Sequence, residues 1–279
     1  MNRILSLLLG LAAVAGSILS CGDIIVDPKL PPGATQFTPP TVFATWWEMT
    51  EVCSGRTGSL DAVSWYKAPA NFFVIDGRQV SAYWSAGSNQ IVVSESVARN
   101  GHVVRHEMLH ALLRSKGHAR DDFLERCAGR VACTTQCVED AGPAPEVPTS
   151  VPRVHASMME VTMEITPIPV RSWVNDGYFA VTIRARNPAP NPVLVELPSQ
   201  GTSQISYSYF IMGPNSESGV VPALDNSVAS FAAGETKVHV FDFFADNQGT
   251  RQGHIYPGQY VIRGTYGGYS APDLGFQAH

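Results

Sequence analysis

The stretch His106-Glu107-Met108-Leu109-His110 decides how the front of this chain folds. On a helix, residues four apart share a face, so His106 and His110 can aim both imidazoles at one ion. Glu107 points about a third of a turn away, where it can reach a water held by that ion and serve as its general base. The flanks suit a helix: His102 to Ser115 contains neither Pro nor Gly. Val104, Met108, Ala111 and Leu112 recur at helical spacing and form an apolar stripe beside the histidines. Asn100 is placed to cap the start and Gly117 to end the helix. A core helix with two ordinary hydrogen-bonded histidines is the plainer alternative.

The pentad resembles the H-E-x-x-H signature of zincin-type zinc metallopeptidases. That resemblance implies a Zn2+ cofactor, His106 and His110 as metal ligands, Glu107 as catalytic base, and a peptide or protein substrate hydrolysed through a zinc-activated water. Zinc lowers the pKa of such a water to about 7 and needs three protein ligands beside it. The third ligand favoured here is His118. The metzincin pattern fails, because Leu113 and Arg114 stand where its glycine turn would begin. Gly117 comes late, directly before His118, and could turn that residue back toward the metal. Asp121, Asp122 and Glu125 compete for the role, although Asp121 and Asp122 also suit the start of a second helix over Phe123. The run H-E-M-L-H, a gap, G-H and an aromatic resembles a family of bacterial exported proteins, over roughly Trp46 to Cys133. His102, one turn before His106, reads as an exposed helix residue rather than a support for the ligands.

At the start, Met1-Asn2-Arg3 is basic and Ile4 to Ile18 mostly apolar, too short for a comfortable membrane span of about 20 residues. Residues 1–20 read as a secretory signal peptide. Ile18-Leu19-Ser20-Cys21 resembles a bacterial lipobox, which implies that Cys21 is lipidated and becomes the first mature residue. Lipid chains at Cys21 would be the chain's contact with the membrane. Gly22 is not the Asp tied to inner-membrane retention, so the resemblance places the protein in the cell envelope at the outer membrane. Residues 21–40, with Pro28, Pro31, Pro32, Pro39 and Pro40, read as an extended tether.

Four cysteines follow Cys21: Cys53, Cys127, Cys133 and Cys137. An even number in an exported chain predicts two disulfides, with three possible connectivities. A second metal site built on Cys127, Cys133 and Cys137 is the lesser reading. The net charge of -5 with no basic face gives nucleic-acid binding no support. The length suggests about two domains.

The predicted fold class is an α+β zincin-like N-terminal domain followed by an all-β immunoglobulin-like antiparallel sandwich. In the first domain, residues 41–138, Trp46 to Thr50 suggests a short helix. Strands are expected at 62–66, 71–75, 79–84 and 90–93, the second and third paired through Asp76-Gly77. In zincins an edge strand near the metal holds an extended substrate by backbone pairing. Residues 139–153, with four prolines, read as a linker.

Residues 154–279 show short alternating strands at 157–165, 178–184, 193–197, 205–211, 238–243 and 259–264, the pattern of an antiparallel sandwich. Asn187-Pro188, Ala233-Gly234-Glu235-Thr236 and Pro257-Gly258-Gln259-Tyr260 resemble the BsuPI-like (intracellular proteinase inhibitor) type of immunoglobulin-like domain. Sandwiches host many roles, so this resemblance implies a fold more than an activity. Met158, Met159 and Met163 read as packing residues.

The favoured function is therefore a zinc metallopeptidase on a lipid tether. Its rivals are a surface binding lipoprotein with a non-catalytic zinc site, and a peptidase restrained by its own sandwich. Oligomeric state is not legible.

Overall fold

The structure is a computed structural model that describes residues 28–75, 77–133, 135–143, 150–173, 175–196, 206–222, 229–245 and 254–279. The apolar leader, Cys21 and the first part of the tether lie outside the described residues. The protein is rich in sheet, with few helices.

In the front half, β1 (Thr35–Gln36), β2 (Ser64–Ala68), β6 (Gln90–Ser94) and β5 (Ala82–Ser85) form one sheet in the order β1-β2-β6-β5. β2 and β6 run parallel; the other two pairings are antiparallel. β1 draws the chain into this sheet before residue 41, and Phe37 packs edge-on against Phe43 and Trp65. The expected strand 79–84 is divided. β4 (Arg78–Val80) pairs with β3 (Phe73–Ile75) as a separate hairpin, whereas β5 joins the main sheet. The reason is burial: Arg78 and Gln79 are exposed, but every residue of β5 is buried.

The apolar run ahead of Cys53 forms a longer helix than expected, α1 (Val42–Ser54), which contains that cysteine. Helix α2 (Gly101–Leu113) carries the pentad. The Asn100 side chain caps it, accepting from the Val103 N–H at 3.3 Å. Its end differs from expectation. Arg114, not Gly117, takes the left-handed conformation at φ 53° and stops the helix. Cys53–Cys127 ties α1 to the segment behind the wide helical turn Asp121–Arg126, and Cys133–Cys137 closes a short loop leading into α3 (Thr135–Asp140). Both pairs should resist thiol titration in unfolded, unreduced protein, and peptide mapping should return these two linkages. Because loop entropy grows with length, removing Cys53–Cys127 should destabilise by about 4 kcal/mol and removing Cys133–Cys137 by about 2 kcal/mol. Crossed pairings, or two or more free thiols, would refute this connectivity.

The second half contains β7 (Arg153–His155), β8 (Glu160–Thr166), β9 (Tyr178–Arg186), β10 (Val193–Glu196), β11 (Ser206–Met212), β12 (Glu217–Pro222), β13 (Ala229–Phe231), β14 (Thr236–Ala245), β15 (His254–Ile255), β16 (Gly258–Tyr266), β17 (Tyr269–Ser270) and β18 (Leu274–Ala278). One sheet runs β15-β14-β9-β8; another runs β12-β11-β16-β17, with β18 also on β16. Phe179, Val181 and Phe243 from the first sheet share a core with Tyr209, Ile211 and Ile262 from the second. The sequence predicts an antiparallel sandwich, and the pairing departs from that: β10 runs parallel to β7, and β15 parallel to β14.

β9 is buried on both faces. Phe179 and Val181 point into the sheet-on-sheet core, while Tyr178 and Ala180 enter a second core with Trp46, Trp65, Val104 and Met108 of the front half. Val240 and Phe244 of β14 do the same. The two halves thus meet across a buried apolar surface, on the side of α2 that carries its apolar stripe.

Candidate metal centre

Helix α2 places His106 and His110 on one face, as the four-residue spacing requires. The chain after Arg114 then doubles back and brings His118 to the same point. Nε2 of His106 lies 3.1 Å from Nε2 of His110 and 3.1 Å from Nε2 of His118. The three residues form a group that could hold a metal ion. Two nitrogens each about 2.0–2.1 Å from a tetrahedral zinc sit about 3.3 Å apart, close to the separation seen here.

The outer nitrogens decide what those inner ones are. His106 Nδ1 donates to the Ala132 carbonyl at 2.5 Å, and His110 Nδ1 donates to the Ser115 carbonyl at 2.7 Å. His118 Nδ1 donates to Asp140 Oδ2 at 3.0 Å. A neutral imidazole carries one proton, and each acceptor holds it on Nδ1. All three Nε2 atoms therefore turn bare lone pairs toward one another. Such an arrangement is repulsive without a cation between them and suits a metal with one. Outer acceptors of this kind orient metal-binding histidines generally.

At His106 and His110, protonation cannot relieve the repulsion cheaply. Burial pushes the His106 pKa well below the ordinary histidine value, and the neighbouring His110 and His118 push it further. Burial, then His118, lowers His110 to about 4. Phe123 forms the floor, its ring 4.9–5.0 Å from each imidazole and itself fully buried. The early stop at Arg114 has a local purpose, because it turns the Ser115 carbonyl back onto His110.

Glu107 lines the same cleft as the three histidines. Burial raises its pKa to about 8, against the opposing hydrogen bond of the Trp84 backbone. A nearby cation would draw that value down again, toward the carboxylate that a base needs. The cleft wall also includes Ala82, Tyr83 and Trp84 of β5, which lies at the edge of its sheet, and Lys116, exposed at the mouth. Among the described residues, those lining this cleft all come from the front half.

The competing acidic residues sit elsewhere. Asp122 is paired with Arg126, and Asp121 and Glu125 are exposed. The cysteines offered for a second metal site are consumed in disulfides. His102 is a correction: far from being an exposed helix residue, it is half-buried and its Nε2 donates to the Val240 carbonyl at 2.6 Å. Sequence reasoning missed Asp140, because nothing in its surroundings marks a residue 22 positions from His118 as its partner. It also missed Asp242, whose signal was present: a carboxylate inside the apolar run Val240-Phe241-Asp242-Phe243-Phe244.

No protein family profile matches this chain, and no curated protein matches it. Among solved structures, it resembles an alkylpurine DNA glycosylase from Pseudomonas fluorescens at TM-score 0.28 and 16% identity, over 43% of this chain and 30% of that one. The candidate ApaA protein from Bordetella pertussis aligns at TM-score 0.28 and 17% identity, over 43% of this chain and 94% of that one. A β-glucosidase from Listeria innocua aligns at TM-score 0.25 and 11% identity, over 43% and 16%. The chain spans less than a third of the length of the first of these.

Proposed function

We propose that this protein is a zinc-dependent peptidase whose front half is zincin-like and whose second half is a BsuPI-like sandwich. The observation that carries the proposal is the meeting of three imidazole lone pairs beside Glu107 in one cleft. Zinc, when bound by His106, His110 and His118, would supply an acidified water and polarise the scissile carbonyl. Glu107 would take the proton from that water and return it to the leaving amine. β5 lies at the edge of its sheet with Ala82 to Trp84 in the cleft wall, so it is the strand beside which an extended peptide would lie. A cleft whose described lining comes from the front half supports a sandwich that braces the catalytic helix over one that caps the site. The test is cleavage of an unfolded protein by purified material, abolished by a chelator, restored by Zn2+, and absent in Glu107→Gln.

The same proposal sets the protein in the bacterial cell envelope at the outer membrane, held through lipid on Cys21. Mass spectrometry of the mature protein from its native host should find Cys21 modified and N-terminal. An unmodified chain beginning at another residue would refute the anchor without touching the metal centre.

A further inference from the structure

The second half does more than pack against α2. Val240 of β14 uses both backbone groups on the front half: its N–H donates to the Gly129 carbonyl at 2.9 Å, and its carbonyl accepts from His102. Gly129 has φ 70°, and a side chain there would strike the Val238 carbonyl and come within 3.0 Å of the His239 Cα. Only glycine lets the segment after Cys127 lie this close to β14. Two residues further along β14, Asp242 takes both Nη groups of Arg105 at 2.9 Å each and the Tyr178 hydroxyl at 2.8 Å. Arg105 is fully buried and spends its Nε on the Arg130 carbonyl at 2.6 Å. The Ala132 N–H then donates to the His102 carbonyl at 2.8 Å, and the Ala132 carbonyl holds Nδ1 of His106.

These bonds make one path, from β14 through Arg105 and residues 129–132 to a metal ligand. We infer that Asp242 and Arg105 are positioning residues for His106, so the metal centre is assembled across both halves of the chain. The inference rests on the metal-site reading above. The segment 129–132 is a turn in which the Arg130 and Val131 N–H groups bond the Cys127 carbonyl, and the Arg130 and Ala132 carbonyls are left to be aimed by the contacts they make outside it. Asp242 fixes the Arg105 fork, Arg105 fixes residue 130, and the Ala132 carbonyl follows. A bidentate, desolvated fork suits such a task because it fixes orientation as well as distance.

The test uses the full-length chain with Asp242→Asn, Arg105→Lys and Tyr178→Phe. Arg105→Lys keeps the charge but loses the fork and the bond to residue 130. Outer-sphere partners of metal ligands typically account for about 10–100-fold in metal affinity. Folded Asp242→Asn and Arg105→Lys should lose zinc affinity in that range, measured by competition with a chromophoric chelator, and should shift the visible spectrum of the Co2+ form. In metal-free protein, 15N NMR should show His106 protonated on Nδ1 in wild type and mixed between tautomers in both variants. Tyr178→Phe, which removes one bond to Asp242, should show the same changes in smaller measure if Asp242→Asn does not fold. Variants that melt earlier yet keep the wild-type His106 tautomer and zinc affinity would overturn the inference. A wild type that binds no zinc would sink the metal-site reading instead, and the His106 tautomer would still decide the positioning.

Discussion

Glu107→Gln is expected to keep its zinc and lose peptide cleavage by about a hundred- to ten-thousand-fold. Glutamine matches glutamate in shape and can still accept the Trp84 hydrogen bond, so the fold and the three histidines stay as they are. What it cannot do is take a proton. The prediction separates base from ligand, because Glu107 sits between two ligands in sequence and beside them in the cleft without belonging to the group of three. Zinc content by metal analysis and turnover of an unfolded protein substrate are the two readouts. The substitution also relieves burial of a carboxyl group pushed up to about 8, so stability should hold or rise slightly. If the variant cleaves as wild type does, Glu107 is not the base; if wild type binds zinc and cleaves nothing, the rival reading of a binding protein with a non-catalytic metal holds.

His118→Ala has the opposite profile: zinc affinity and activity should fall together. Alanine removes one of three nitrogens, so the loss should exceed the roughly 100-fold upper range for a partner outside the first shell. The change also takes from Asp140 its His118 partner, leaving it Arg78 at 3.7 Å among the described residues. Alanine at Asp121, Asp122 or Glu125 should leave zinc unchanged, since none of these belongs to the group. Asp122→Ala would cost only its pairing with Arg126, about 1 kcal/mol or less at a partly exposed site. Should one acidic variant lose its metal while His118→Ala retains it, the third ligand is a carboxylate.

Much of the helix and its histidine pair was legible in the sequence, because helical spacing is a local property. Two histidines four apart must share a face, and the stripe from Val104 to Leu112 must seek a core. The strands at 178–184, 205–211, 238–243 and 259–264 were legible for the same reason, since alternation is set by the geometry of the strand alone. The even count of cysteines after Cys21 announced two bridges, and both are present.

Other features depend on which distant segments meet. The division of 79–84 into β4 and β5 follows from which residues find a buried partner, and pattern alone read it as one strand. Cysteine connectivity depends on which chain segments come within reach, a matter of tertiary approach. The convergence of His118 needed the left-handed turn at Arg114, a residue type that seldom adopts it. Its partner Asp140 lies on a later helix. Above all, the grip of β14 on α2 joins residues 137 positions apart. Local pattern reports which face a residue prefers; it carries no term for what the opposite face will be. The pentad and its helix were therefore determined by sequence alone, while the approach of His118, the acceptors that orient all three imidazoles, and the buried Arg105–Asp242 pair were decided by tertiary packing, where desolvation makes an unpaired charge or lone pair too costly to leave alone.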